Sequence, residues 1–305
     1  MDVALRKRIW RYRTMYLFLL PAVILIVVFS YAPMVGLIMA FEDYDIVNGM
    51  FRSPFVGFEN FKHLFRDADF LRSLRNTVAL NGIHIAIGFT LPIGLAILIF
   101  EMQDSAFKRI TQTITYLPHF VSWVAIAGIV YKLLDEYTGV ANILLRALDR
   151  EAIPFMRRPD LFWWILIIVA IWKEIGWETI IYLAALSGIP AEQYEAAVVD
   201  GASKWQQLIY ITLPSIAPTI GLMFIFTIAH LVTNSPISFG AIYNMRNALV
   251  SEYSDTLDYY IFLQGIRRVR YGIATAMGLL RGLAGLVLVL GANGISRRIR
   301  KYGAF

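Results

Sequence analysis

The 305-residue chain is 58% apolar and only 16% charged, against about 45–50% and about 25% in soluble domains, which excludes an ordinary soluble globular protein. Its net charge of +6 admits nucleic acid or an anionic surface as partner, and in a membrane protein it reads as anchoring charge. With no cysteine present, disulfides, thiol catalysis and cysteine metal sites are excluded.

The chain begins with Arg6, Lys7, Arg8, Arg11 and Arg13 interleaved with Trp10, Tyr12 and Tyr16. That mixture suits a membrane interface, and nothing beyond charge supports nucleic acid. Residues 1–15 are expected to form a basic interfacial segment. The apolar stretch from Met15 to Phe41 is too long for the core of a secretory signal and lacks an A-x-A cleavage site. It is expected to be retained as the first span.

Five further apolar runs follow the first. The six cover 16–40, 76–100, 111–133, 161–187, 206–233 and 271–295, and each can supply the roughly 20 residues a span requires. Pro21, Pro33, Pro92, Pro118, Pro214 and Pro218 lie inside or at the ends of these runs. Membrane helices tolerate proline where neighbours satisfy the freed backbone groups. The fifth run ends on an unusual Thr233-Asn234-Ser235-Pro236. The expected fold is all-α: a polytopic membrane protein with six transmembrane helices over residues 16–296 and a cytoplasmic tail at 297–305. No internal repeat or second soluble domain is visible.

The connections are unequal. Residues 41–75, 134–160 and 234–270 form long polar loops, and residues 101–110 and 188–205 form short ones. Six spans put the long loops on one face and the short loops on the other, with both termini. The first span sets the orientation, because its basic cluster precedes it and the next basic residue is Arg52. The termini and the short loops are therefore expected on the cytoplasmic side of the membrane.

The last short loop has the most local structure. Ser187-Gly188 stops the preceding helix. Pro190 fits the first turn of a new one, where Glu192 complements the helix dipole. Tyr194 to Asp200 continue that helix, and Gly201 is a natural residue to end it. Ser203 with Gln206 reads as a capping box for the next helix. The loop is a short helix, a sharp turn and a fresh helix start.

The spacing Glu195-Ala196-Ala197, three residues, Gly201, nine residues, Ile211, one residue, Leu213-Pro214 resembles the EAA loop of permease subunits of bacterial ATP-binding-cassette importers. The flanking Ile181 to Leu186 and Pro218 match as well. The resemblance is strongest from Trp172 to Pro218 and favours the oligosaccharide branch that includes the maltose permeases. It also takes in Phe55 to Lys62, an external segment after the first span. The overall sequence resembles the permeases of alginate importers. Glu178, where the branch commonly has a small residue, and Leu208, where an aromatic is frequent, depart from the pattern. The plainer alternative is an amphipathic helix that merely joins two spans.

Charges at membrane depth are costly, about 2.5–3.5 kcal/mol each on the lenient insertion scale, and should face protein or water. Lys173, Glu174 and Glu178 lie on the fourth run and Arg281 on the sixth. Gly278 and Gly285 share a helical face with Arg281, which therefore points into a helix interface or a pathway. Two readings stand: a buried ion pair with Glu174 or Glu178, or a cation contacting an anionic sugar. Lys173, Glu178 and Arg281 are the pathway candidates, and the two cations fit an acidic sugar such as alginate. His84 and His230 on the second and fifth runs do not have metal-ligand spacing.

No phosphate loop, H-E-x-x-H or G-x-S-x-G motif is present, so neither ATP hydrolysis nor another catalytic site is expected in this chain. The resemblance implies that ATP is bound by separate cytoplasmic subunits, which dock on Glu195, Ala196, Ala197, Asp200 and Gly201. It further implies a second related permease, an external solute-binding protein, surrounding lipid and no nucleic acid. A proton-coupled secondary transporter or a polytopic membrane enzyme using the charges of the fourth run would not explain the EAA spacing.

Overall fold

The computed structural model describes residues 10–233, 237 and 239–300. Arg6, Lys7 and Arg8, the segment 234–236 and residues 301–305 of the tail lie outside them. The helices, in chain order, are α1 (Arg13–Ile26), α2 (Glu59–Arg66), α3 (Ala68–Gly88), α4 (Thr90–Glu101), α5 (Ala106–Tyr116), α6 (Trp123–Leu133), α7 (Val140–Ala147) and α8 (Pro159–Ser187). They continue with α9 (Ala191–Val199), α10 (Lys204–Gln207), α11 (Leu213–Thr233), α12 (Phe239–Met245), α13 (Ser251–Ser254), α14 (Leu257–Phe262) and α15 (Tyr271–Arg300). Among the described residues there is no strand; a single antiparallel bridge joins Glu42 and Phe55.

Among the described residues four helical stretches are long and apolar enough to cross a membrane: Arg13–Phe41, Ala68–Glu101, Lys204–Ala229 and Tyr271–Gly294. Ala106–Phe120 and Trp123–Leu133 make a fifth when counted as one span bent by 103°. The 29-residue α8 is long enough, but it carries Lys173, Glu174 and Glu178 close together in its middle and is not one of these stretches.

Two of the long stretches widen into a π turn, at Val27–Tyr31 and at Leu208–Thr212. Each turn contains the residue four places before a proline, Phe29 before Pro33 and Tyr210 before Pro214. A proline ring clashes with that carbonyl in a regular helix, and widening the turn relieves the clash.

The chain divides into two compact units. The first comprises residues 1–66 and 263–279. Here Asn60 Nδ2 donates to the carbonyls of Ala40 (3.0 Å) and Glu42 (2.8 Å). Gly272 admits this arrangement, because a Cβ there would lie 2.8 Å from the Glu42 carbonyl. Phe41 packs edge-on against Phe58, and Tyr44 against Tyr271. The segment 41–75, expected as loop, is thus partly ordered by α2.

The second unit comprises residues 67–262 and 280–305. Its core is built on α8, where Phe162, Leu166, Ile167 and Ala170 are buried against Leu80, Ile126, Val130, Ile242 and Met245. A smaller cluster joins Ala96, Tyr182, Leu186 and Ile216. The second span helix starts at Ala68 rather than residue 76, with the Asp67 carboxylate accepting from the Asp69 N–H at its cap. Its polar first half has partners: Asn76 Nδ2 donates to the carbonyls of Glu252 (3.0 Å) and Asp255 (3.1 Å), and Thr77 Oγ1 accepts from Leu257 N. Among the described residues of the loop expected at 234–270, α12, α13 and α14 are short helices, and the stretch Glu252 to Leu257 is held by α3.

The third expected span, 111–133, is not one helix. It breaks at a 3₁₀ turn, Leu117–Phe120, and restarts where Ser122 Oγ accepts from the Ala125 N–H. The loop 134–160 contains α7 and is closed by Asn142, which is fully buried. Its Nδ2 donates to the carbonyls of Asp135 and Ile153, and its Oδ1 accepts from Ile153 N.

Candidate coupling loop and translocation cavity

α9 begins after Pro190, whose φ of −59° is preset for a helix start. Its C-terminus is a Schellman turn. The N–H of Ala202 donates to the Ala197 carbonyl (2.8 Å) and that of Gly201 to the Val198 carbonyl (3.0 Å). This closure needs a left-handed residue, and Gly201 supplies it at φ +77°. A Cβ at Gly201 would meet nothing within 4 Å, so only the backbone conformation demands glycine within this chain. Ser203 and Gln206 form the capping box that opens α10.

The helix is fastened on its inner side. Tyr194 Oη and Thr212 Oγ1 are 3.0 Å apart, and the Tyr194 ring lies against Phe100. Lys204 Nζ reaches Glu101 Oε2 at 3.0 Å. Glu195, Ala196 and Asp200 are exposed and Ala197 is half-buried. Val198, Val199 and Trp205 project beside them, 62%, 87% and 68% exposed. Solvated apolar groups of that size on a short loop are a surface suited to a partner. A cavity of about 490 Å³ opens between Phe100, Tyr194, Glu195, Val198 and Lys204.

The second unit also holds a cavity of about 760 Å³ among α3, α8, α11 and the break between α5 and α6. Its polar lining includes His84, His119, Glu174, Glu178 and Thr227, and its aromatic lining Phe89, Trp123, Trp177, Tyr182 and Phe226. His119 lies flat on Trp177, with ring centroids 4.4 Å apart and planes within 4°. His119 Nδ1 is 2.7 Å from Glu174 Oε2. His84 is almost wholly buried, and its Nε2 has no hydrogen-bond partner. Gly88 leaves it room, since a Cβ there would come 3.2 Å from His84 Cε1.

The three sequence-derived pathway residues do not converge. Glu178 lines the cavity. Lys173 is buried behind it; its Nζ donates to the His119 and Pro118 carbonyls and lies 3.6 Å from Glu174 Oε1. Arg281 pairs not with Glu174 or Glu178 but with Asp258, because α14 folds back against α15. Sequence reasoning missed the His119–Trp177 stack. Its traces were Pro118-His119-Phe120 interrupting an apolar run and Trp177 among the aromatic residues of the third and fourth runs, a minority of which could stack on sugar rings.

Residues 88–301 match the family described as "Binding-protein-dependent transport system inner membrane component". Protein LplB of Bacillus subtilis (strain 168) is 38% identical over 302 residues, covering 99% of this chain and 93% of that protein. The polygalacturonan/rhamnogalacturonan transport system permease protein YteP of the same organism is 35% identical over 291 residues, covering 95% and 90%. A crystal structure of a bacterial ABC transporter involved in the import of the acidic polysaccharide alginate contains a chain 39% identical to this one, with a TM-score of 0.89 and coverage of 97% and 99%. The same transporter type in complex with an alginate pentasaccharide-bound periplasmic protein gives the same identity and TM-score over 98% and 99%. By family model, by relatives and by solved structures alike, the chain belongs to the inner membrane components of binding-protein-dependent transport systems, as a permease subunit of an ABC importer.

Proposed function

We propose that this permease carries an acidic oligosaccharide through the 760 Å³ cavity and that α9 is its coupling helix, docked on an ATPase subunit. The short α9, closed by the left-handed Gly201 turn between two long helices, carries the coupling part. It presents Glu195, Ala196 and Asp200 to solvent together with Val198 and Val199, a small, mixed surface that a groove on a partner can bury. ATP binding and hydrolysis belong to that partner. Rigid-body movement of the ATPase pair then reaches the spans through α9 and its Tyr194–Thr212 and Lys204–Glu101 contacts.

In this reading the chain has six spans. They are the four apolar stretches, the bent pair Ala106–Leu133, and α8, whose ~43 Å length exceeds a bilayer core. The charges on α8 fit a span because they turn inward: Lys173 is buried and Glu174 and Glu178 face the cavity. Both termini and residues 188–205 lie in the cytoplasm, residues 1–15 rest at the interface, and 297–305 form a tail. A second permease subunit completes the pathway and a solute-binding protein delivers the sugar to the outer loops.

The acidic substrate class rests on the solved alginate importers and on the polygalacturonan permease. One observation favours a second reading. Glu174 and Glu178 put two carboxylates at the cavity, while Lys173 and Arg281 are engaged with backbone carbonyls and with Asp258. That lining suits sugar hydroxyls, as a neutral oligosaccharide presents. Uptake by the reconstituted complex of a panel of uronate and neutral oligosaccharides, each with its binding protein, separates the two. Uptake restricted to neutral members would overturn the acidic assignment.

A further inference from the structure

The break between α5 and α6 leaves backbone groups that a continuous helix would satisfy. At membrane depth there is no water to take them over, so each must find a partner within protein. Val121 N donates to the Pro118 carbonyl at 3.1 Å. The His119 carbonyl is met instead by a side chain from another helix, Lys173 Nζ, which also reaches the Pro118 carbonyl at 3.4 Å. Lys173 is only 6% exposed. A buried ammonium is itself costly unless donors and charge are satisfied. Here the two needs cancel, because the cation takes the carbonyls and Glu174 lies 3.6 Å away. Trp123, the first residue of α6, presents its ring 5.9 Å from the same ammonium.

Further contacts bind the break to α8. At Gly176 the α8 backbone lies directly on the Thr115 carbonyl, and any Cβ would overlap it. Glu174 takes His119 through Nδ1. Trp177, one helical step on from Lys173 and Glu174, receives the flat face of the same imidazole. The residues on one side of α8 thus grip a single turn, Leu117–Phe120, from its backbone and from its side chain.

We propose that Lys173 is a positioning residue for transport: its ammonium fixes the Leu117–Phe120 turn on α8 and thereby holds His119 and Trp177 as the flat cavity wall on which a sugar ring lies. The proposal rests on the cavity being the sugar pathway. It moves Lys173 from a substrate contact to the support behind one. A lysine suits this task because its compact charged head donates to two adjacent carbonyls while a carboxylate 3.6 Å away balances its charge.

The test uses the full complex of this chain with its partner permease and ATPase subunits in proteoliposomes. The natural absence of cysteine lets Val121→Cys report on the turn through its reaction rate with a water-soluble maleimide. Lys173→Met removes the donors, and Lys173→Met with Glu174→Gln removes both charges should the single change prevent assembly. Loss of a charge-assisted bond predicts about a tenfold or greater rise in labelling at position 121. Uronate taken up per ATP hydrolysed should fall by a similar, about tenfold, factor, with ATP hydrolysis itself held within about twofold. A merely structural lysine would lower uptake and hydrolysis together. That result, or unchanged labelling, would overturn the clamp whatever the cavity does. Raised labelling with unchanged uptake per ATP would leave the clamp standing and remove the cavity reading, and with it the proposed role in transport.

Discussion

Gly201 offers a test in which two causes predict opposite orders. It sits at φ +77° and closes the Schellman turn of α9 through its own N–H and that of Ala202. Its missing Cβ faces open space in this chain. If glycine is needed for the backbone alone, the cost of a substitution is the left-handed conformation, about 1–2 kcal/mol for an alanine. Asparagine visits that region far more readily and should cost only a few tenths (~0.3 kcal/mol). A β-branched valine should cost most. Should the partner ATPase instead press against this position, size decides, and asparagine becomes worse than alanine. The backbone account therefore predicts ATPase retention in the order Asn, Ala, Val, with Gly201→Ala weakened by a factor of about 5–30. The assay is retention of ATPase subunits on purification, together with substrate-stimulated ATP hydrolysis in proteoliposomes. Because the residue lies outside every span, membrane insertion should be unaffected. Gly201→Asn being weaker than Gly201→Ala would refute the backbone account and place the partner's surface against this turn.

Other outcomes follow from the same geometry. Glu195→Ala should weaken ATPase docking by about 10- to 150-fold, since a charge-assisted bond to a partner is worth about 1.5–3 kcal/mol; an unchanged titration of ATPase onto the permease would remove Glu195 from the interface. Arg281→Gln strands the Asp258 carboxylate, which is 23% exposed, and should lower complex yield through a loss of about 3 kcal/mol. Adding Asp258→Asn should restore that yield, and a yield that stays low would mean Arg281 has a second indispensable role. A cysteine at position 204, where the native lysine is 77% exposed, should react with an impermeant maleimide only from the cytoplasmic side. Labelling from outside would invert the topology.

The parts of the fold that could be read from sequence were those fixed by neighbours along the chain. The Ser187-Gly188 stop, the Pro190 start, the Gly201 turn and the Ser203–Gln206 box each rest on bonds within a few residues, and all are present. The broken third span was not legible, because Pro118 looks no different in sequence from Pro92, which sits inside α4 in the unbroken stretch Ala68–Glu101. What differs is tertiary: Lys173 waits on another helix to satisfy the carbonyls a break sets free. The start of α3 was placed too late for a related reason. Arg72 and Arg75 read as loop and Asn76 as the first residue of the span, yet Asn76 spends its amide on carbonyls more than a hundred residues away and lies well inside the helix. Arg281 could be read as inward-facing from Gly278 and Gly285, but its partner Asp258 lay in a stretch counted as outer loop. Ionisable residues within apolar runs announced a polar interior, and only the folded chain sorted them into a lysine on backbone carbonyls, an ion pair and cavity lining.

The central claim is that this permease moves its substrate through ATPase subunits coupled at α9. Reconstitution of the chain with its partner permease, ATPase subunits and a sugar-loaded binding protein measures this directly. The account predicts oligosaccharide uptake that requires hydrolysable ATP, is indifferent to a proton gradient, and is lost with Glu195→Ala while the permease pair stays assembled. Uptake driven by a proton gradient without ATP would contradict it.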